Sequence, residues 1–401
     1  VADLSPEKGT DRLVAVLALA VAIASLGANA FLPLLPEYVR HQGGSDALVG
    51  VIMASFFAAG LLAQFPAGWL ADRVGGRPVL LGGLLVFSGA SLAFATGVGP
   101  LGAVLLRSLQ GVGAGAELVA ALAMLSLAVP IERRGRAVGT IYGALLAGAA
   151  VGPLVGSLAG LDHLPAVFVA SAVASVAACI PVLVGTQPGP RGSRPPAPPL
   201  PADLWRRRAL VGALITAAAN GLVIGVYESC WTLLLQYRGA EAWQIGLSWT
   251  LFSVPFVAMS RPGGWLADHF DRRPLVIVPT VVSIAFCATY PFVASLPLLL
   301  AFGALESAGI AVALPAAQSL LTQDVPAEIQ GRVQGLFATS ETGATAVSAF
   351  AGGALFGAAP WAPFVAGAAG ALALTAVLPV LWAPVRGRVL PDPRPGPAPA
   401  G

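Results

Sequence analysis

A charged knot that occurs twice restricts what this chain can fold into. Gly68-Trp69-Leu70-Ala71-Asp72-Arg73-Val74-Gly75-Gly76-Arg77-Pro78 returns 196 positions later as Gly264-Trp265-Leu266-Ala267-Asp268-His269-Phe270-Asp271-Arg272-Arg273-Pro274. Each copy lies between two long apolar runs. A polar knot at a matching place in each half predicts a membrane-embedded chain made of two copies of one unit, with both knots on the same side of the bilayer. Composition agrees: 10% of residues are charged, 57% are hydrophobic and the mean hydropathy is +0.82, where soluble domains carry roughly 25% charge. A soluble fold of this length has no core large enough to hide so much apolar surface, so lipid is the expected solvent.

A membrane-crossing helix needs about 20 apolar residues. By that ruler spans fall near 13–38, 47–71, 79–97, 100–128, 138–161 and 165–185, then 209–236, 243–267, 275–294, 297–323, 333–357 and 361–383. The expected fold is an all-α membrane protein of 12 transmembrane helices in two pseudo-symmetric six-helix bundles, 1–185 and 209–383. Segment 186–208, rich in Pro, Gly and Arg, reads as a solvated linker, and 384–401 as a mobile tail. The first run is followed by further spans, so it reads as a span and not as a removed signal peptide.

All but four of the 22 Lys and Arg fall in loops on one side. Arg40 and Arg238 lie on the other, and Arg107 and Arg261 lie inside spans. By the positive-inside rule, both termini, the linker and the knots are cytoplasmic. The repeat also extends beyond the knots. Val129-Pro130 with Glu132, Gly135, Arg136 and Gly139 matches Val325-Pro326 with Glu328, Gly331, Arg332 and Gly335. Two such halves packed about an axis along the membrane normal make a transporter design, with the pathway at the seam.

At this point the chain resembles the major facilitator superfamily, and in particular its 12-helix drug:proton antiporters, from about 13 to 383. Gly68, Asp72, Arg73, Gly75 and Arg77 fit that family's loop motif, while Gly76 stands where a basic residue is common. The resemblance implies a conformational clasp formed by Gly68, Asp72, Arg73, Arg77, Glu132, Asp268, Arg272 and Arg273, which would hold the cytoplasmic side shut. The arginines would pair with acids such as Glu132. The alternative is that these charges only set topology. Arg107-Ser108-Leu109-Gln110-Gly111-Val112-Gly113 resembles the fourth-helix motif, whose intramembrane Arg serves proton transfer; the alternative is a structural Arg held by backbone carbonyls. Gly148, Gly152, Pro153 and Gly156 resemble the fifth-helix motif of the antiporters, with Ser157 in place of its closing Gly. At the repeat shift Gly152 and Pro153 become Ser348 and Ala349, so this motif belongs to the N-terminal half alone, as in exporters. Plain small-residue packing is its other reading.

Glu117, Glu228, Glu306 and Glu341 lie inside spans, where an ionised group is costly and marks function by default. At 1.5 Å per residue, Glu228 and Glu306 stand roughly 12 and 14 Å from the outer ends of their helices, at one level. Glu117 lies deeper, and Glu341 is near enough to the knots to be structural. An acid in an apolar cavity holds a proton more tightly than one in water, and a nearby cation opposes this. Glu306 and Glu228, tuned by Arg107, are thus expected to hold either a proton or a cationic drug, unless they only hydrogen-bond within the bundle. Glu117 and Asn29 complete the candidate coupling and substrate set. Phe31, Tyr227, Trp231, Trp249 and Phe252 are candidate cavity walls able to contact a cation.

The expected function is proton-coupled export of small amphipathic or cationic compounds such as drugs, by alternating access. The alternatives are a proton-coupled uptake symporter for a small nutrient and a carrier or flippase for lipid-like substrates. No nucleophile–His–acid set and no phosphate-cradling Gly loop with Lys occurs, so no enzyme is expected. No metal is expected, because Cys179, Cys230 and Cys287 sit in apolar runs without ligand spacing; no nucleic acid is expected, because the basic residues are placed by topology, and no cofactor is expected either. The expected partners are a small-molecule substrate, protons and the lipid bilayer. A monomer in a bacterial or archaeal cytoplasmic membrane is the default.

Overall fold

The computed structural model describes residues 6–160, 163–187, 201–323, 325–385 and 387. Twelve long helices occur among them. In the first half these are α1 (Pro6–Ala30), α2 (Asp46–Val74), α3 (Gly76–Phe94), α4 (Pro100–Ala128), α5 (Ile131–Ala159) and α6 (Leu164–Gly185). The second half has α7 (Arg208–Val226), α8 (Ala242–His269), α9 (Arg272–Thr289), α10 (Leu296–Thr322), α11 (Ala327–Ala358) and α12 (Ala362–Thr375). Short turns lengthen several of them. Leu32–Leu34 and Leu35–His41 continue α1, and a π turn at Tyr227–Trp231 followed by Thr232–Tyr237 continues α7. Eleven of these elements are long and apolar enough to cross a bilayer. The exception, α11, has the length at 32 residues but interrupts its apolar run with Thr, Ser and Glu341.

Local chemistry sets the ends. Gly75, at φ 92°, closes α2 and opens α3 within one residue, a conformation that suits glycine. Asp271 caps α9 by accepting from the backbone N–H of Arg273, and Glu241 and Gln244 form a capping box at the start of α8.

The two halves pack by one rule. In the first, α1 lies on α5 and α6, α2 on α4, and α3 on α4 and α6. In the second, α7 lies on α11 and α12, α8 on α10, and α9 on α10 and α12. Across the seam α2 runs along α11 and α5 along α8. The cores differ from end to end. Toward the knots each half has its own apolar core, one around Leu17, Leu80 and Leu125, the other around Leu210, Val276 and Leu320. Away from the knots a single core includes Phe31, Ile52 and Phe94 from one half with Leu234, Tyr290 and Phe356 from the other. The halves are therefore joined at the far end and separate at the knot end.

Close main-chain contacts add to this shared core at the far end. A Cβ on Gly50 of α2 would stand 2.6 Å from the carbonyl oxygen of Ala349 and 2.9 Å from Gly353 Cα on α11. A Cβ on Gly246 of α8 would stand 2.6 Å from the carbonyl oxygen of Pro153 on α5. A polar tie, Arg40 Nη1 to Gln236 Oε1 at 2.9 Å, spans the same end.

Of the expected linker, 188–200 lies outside the described residues. Its final part, Ala202–Arg206, is a 3-10 turn that buries Leu204 in the second half's knot-end core. Of the expected tail, 386 and 388–401 lie outside the described residues, while the Gly387 carbonyl accepts from the backbone N–H of Arg272.

Candidate functional site

The second bundle encloses a carboxylate. Glu306 on α10 is 2% exposed. Its Oε1 accepts from Tyr227 Oη at 2.8 Å and from Ser283 Oγ at 2.5 Å, and its Oε2 accepts from Tyr290 Oη at 2.6 Å. Two helices converge there on α10: the π turn extending α7 brings Tyr227, α9 brings Ser283, and the turn extending α9 brings Tyr290. The hydroxyls meet the requirement that a buried polar group be hydrogen-bonded. Tyr227, Trp231 and Tyr290 pack edge to face, with ring centres 5.1–6.0 Å apart. Trp231 is fixed in turn by donation from Nε1 to Ser248 Oγ at 2.9 Å.

Glu228 follows Tyr227 directly, so it points to another side of α7. It is half-buried and interacts electrostatically with Arg107 on α4 of the opposite half. Arg107 is 2% exposed. Its Nη1 donates to Gln110 Oε1 at 2.9 Å, and its guanidinium lies 4.1 Å from the Phe56 ring centre and 5.2 Å from that of Phe31. Its Nε is buried without a hydrogen-bond partner. Gln110 passes the chain of bonds on, from Nε2 to Ser91 Oγ at 2.9 Å. An acid and a guanidinium from opposite halves thus feel each other's charge, and the acid adjoins in sequence a tyrosine that bonds the sealed carboxylate.

The remaining candidates are placed differently. Glu117, 9% exposed, lies inside the first bundle against Gly83 of α3 and interacts electrostatically with Cys179 of α6; it does not act on Glu228 or Glu306. Asn29 donates to the Ser25 carbonyl one turn back at 2.7 Å. Phe31 is fully buried against Phe94 and Phe168 and meets the site through Arg107 alone. Trp249 is half-buried with Nε1 unpartnered, and the carbonyl of Phe252 accepts from the Ser307 hydroxyl. Glu341 interacts electrostatically with Tyr142 of α5, a second acid at the seam.

Gly148, Gly152 and Gly156 form one stripe of α5 against α1. A Cβ on the first two would stand 2.5 Å from the carbonyl oxygens of Ala22 and Leu26, and one on Gly156 would collide with that of Ala30. Pro153 points the other way, with its carbonyl at the α8 seam.

In the knots, the described contacts named next stay within one half. Arg73 stacks on Trp69 at 3.9 Å, and Arg77 Nη2 donates to the Leu183 carbonyl at the end of α6 at 2.9 Å. Arg273 pairs with Asp271 at 2.6 Å and also donates to the carbonyls of Trp382 and Ala383. Arg272 Nε donates to the Ala267 carbonyl at 3.0 Å. Asp72 and Asp268 are exposed, Gly68 packs on Val119 of α4, and the side chain of Glu132 lies outside the described residues.

Sequence reasoning did not single out Ser283, Tyr290, Gln110 or Tyr142. Hydroxyls and amides are common in apolar spans, and which of them meet an acid is decided by helix packing. For Gln110 the internal repeat offered a signal.

The family model described as Major Facilitator Superfamily matches residues 17–234 and 213–400. The "Tetracycline resistance protein, class C" of Escherichia coli is 28% identical over 371 residues, 85% of this chain and 90% of that protein. The "Probable anion transporter 6, chloroplastic" of Arabidopsis thaliana is 34% identical over 152 residues, 36% of this chain and 28% of that protein. A solved D-xylose-proton symporter superposes with a TM-score of 0.75 at 15% identity, over 92% of this chain and 96% of that one. The expected architecture, twelve helices in two bundles, is that of these structures. Family match, full-length relative and shared architecture lead to one conclusion: this chain is a transporter, not an enzyme, and belongs to the Major Facilitator Superfamily.

Proposed function

We propose that the chain is a proton-coupled exporter of small amphipathic or cationic compounds. It would work by alternating access across a bacterial or archaeal cytoplasmic membrane, with the knots and both termini on the cytoplasmic side. The observation that carries this reading is the pair of acids at consecutive levels of chemistry: Glu228, half-buried and opposite Arg107 at the seam, beside Glu306, enclosed by three hydroxyls. One acid is open to cargo and the other is shielded from it, as proton–substrate exchange requires. The tetracycline-resistance relative and the α1–α5 glycine stripe support export. With the halves joined away from the knots, the pathway in this state opens toward the cytoplasm.

The test is reconstitution in liposomes with an internal pH indicator. Adding a lipophilic cation to one side should draw protons from the other side toward it; a pH gradient left undisturbed by every such cation overturns the reading. A second reading, transport of organic anions, has one observation in its favour: the buried Nε of Arg107 is free to bind an acceptor. Under that reading a lipophilic anion, not a cation, disturbs the gradient.

A further inference from the structure

We infer that Tyr227 is the proton gate of Glu306, the group through which the sealed carboxylate exchanges its proton with water at the seam. This rests on the proton coupling proposed above. Glu306 is 2% exposed, and two of its three partners, Ser283 and Tyr290, are 5% and 1% exposed. Tyr227 differs from both. It is half-buried, stands on α7 immediately before Glu228, and so adjoins the enclosed acid on one side and the seam on the other.

Hydrogen-bond accounting assigns the route. An ionised Glu306 accepts at all three contacts. Once protonated it donates from one oxygen, and the hydroxyl met there must turn its own hydrogen to another acceptor. A buried donor left without an acceptor costs about 1–3 kcal/mol, which disfavours reversal at Tyr290. Ser283 has carbonyls of its own helix to turn to, but it is cut off from water and cannot be the entry. Of the three, Tyr227 is the one not fully buried, and its π turn lies against α2 of the other half, so the route to the seam is assigned to it. The step balances. A hydronium ion in the seam gives its proton to Tyr227 Oη while the phenolic hydrogen passes to Glu306 Oε1. The hydronium becomes water, the carboxylate becomes a carboxylic acid, and the phenol is neutral before and after. Release runs the same path in reverse. Tyr227 also opens the π turn of α7, a wider turn than its neighbours. The other titratable groups acting on this cluster are Cys287 of α9 and Tyr290 of the turn that extends it; Glu228, next to Tyr227 in the chain, interacts with Arg107 instead.

The test uses the full-length protein with Tyr227→Phe, which keeps the ring and removes the hydroxyl. The infrared carbonyl band of protonated Glu306, identified by its loss in Glu306→Gln, is followed after a rapid drop in pH. In Tyr227→Phe its rise should slow about tenfold or more, equivalent to about 1.4 kcal/mol of barrier. Tyr290→Phe removes an equally direct bond but spares the gate, so the band should rise as fast as in the natural protein even if its final amplitude changes. Equal rates in Tyr227→Phe and the natural protein overturn the proposal, as does equal slowing by the two Phe variants. If the band is gated by Tyr227 while substrate moves no protons in liposomes, the gate stands and the exporter reading falls.

Discussion

Gln110 and Glu306 occupy the same place in the two halves. They are 196 positions apart on α4 and α10, are 0% and 2% exposed, and each bonds a serine on the third helix of its bundle, Ser91 and Ser283. The first half shows that a neutral amide satisfies this position. Glu306→Gln should therefore fold and keep its thermal midpoint within a few degrees, because the loss is limited to charge assistance in bonds worth about 1.5–3 kcal/mol. Proton-driven transport should fall to background while downhill substrate exchange persists. Coupled transport at the natural rate would remove Glu306 from the mechanism.

Arg107 combines a bond to Gln110, two ring faces and an acid across the seam. Lysine keeps the charge but loses the planar stacking and the directed fork. Arg107→Lys should weaken substrate binding about tenfold, or about 1.4 kcal/mol, as measured by titration of purified protein. Phe56→Leu, which deletes the nearer ring, should cost about 0.5–2 kcal/mol of the same binding.

Glu228→Gln tests the charge of the cargo. If Glu228 meets a cation, the variant should bind lipophilic cations about tenfold less tightly, about 1.4 kcal/mol, with a much smaller change for neutral analogues. Competition binding against a fluorescent cation measures both. An equal loss for both classes would assign Glu228 a structural role.

Two glycines separate folding from switching. Gly156 stands within one bundle, against the Ala30 carbonyl, and Gly50 stands between bundles, against Ala349 and Gly353. Gly156→Val should lower stability by about 1–3 kcal/mol, the usual range for overpacking, seen as a fall in the thermal midpoint. Gly50→Val should leave the midpoint nearly unchanged and shift the molecule toward the state open at the far end. Labels on α2 and α11, read by distance measurement, should move apart there. Unchanged distances would refute the switching role.

Much of the fold was legible because lipid imposes a simple ruler. The run 100–128 coincides with α4, whereas the run 333–357 begins six residues inside α11 at Ala327–Ala358. Helices continue past their apolar part into charged ends, and an apolarity ruler stops too soon. The acids were legible because a charge in an apolar run stands out. Their surroundings were not: the opposition of Glu228 and Arg107 depends on how two halves meet, and the ring of hydroxyls about Glu306 on the rotation of three helices. The π turn that sets Tyr227 and Glu228 in place has no signature in YESCW.

Part of the closed end of the seam is glycine lying on carbonyls, at Gly50 and Gly246. Such residues lose essentially no side-chain freedom on contact and regain none on parting. At those contacts, parting requires no reshuffling of rotamers. Where the hinge rests on bare main chain, the switch does not wait on side-chain rearrangement.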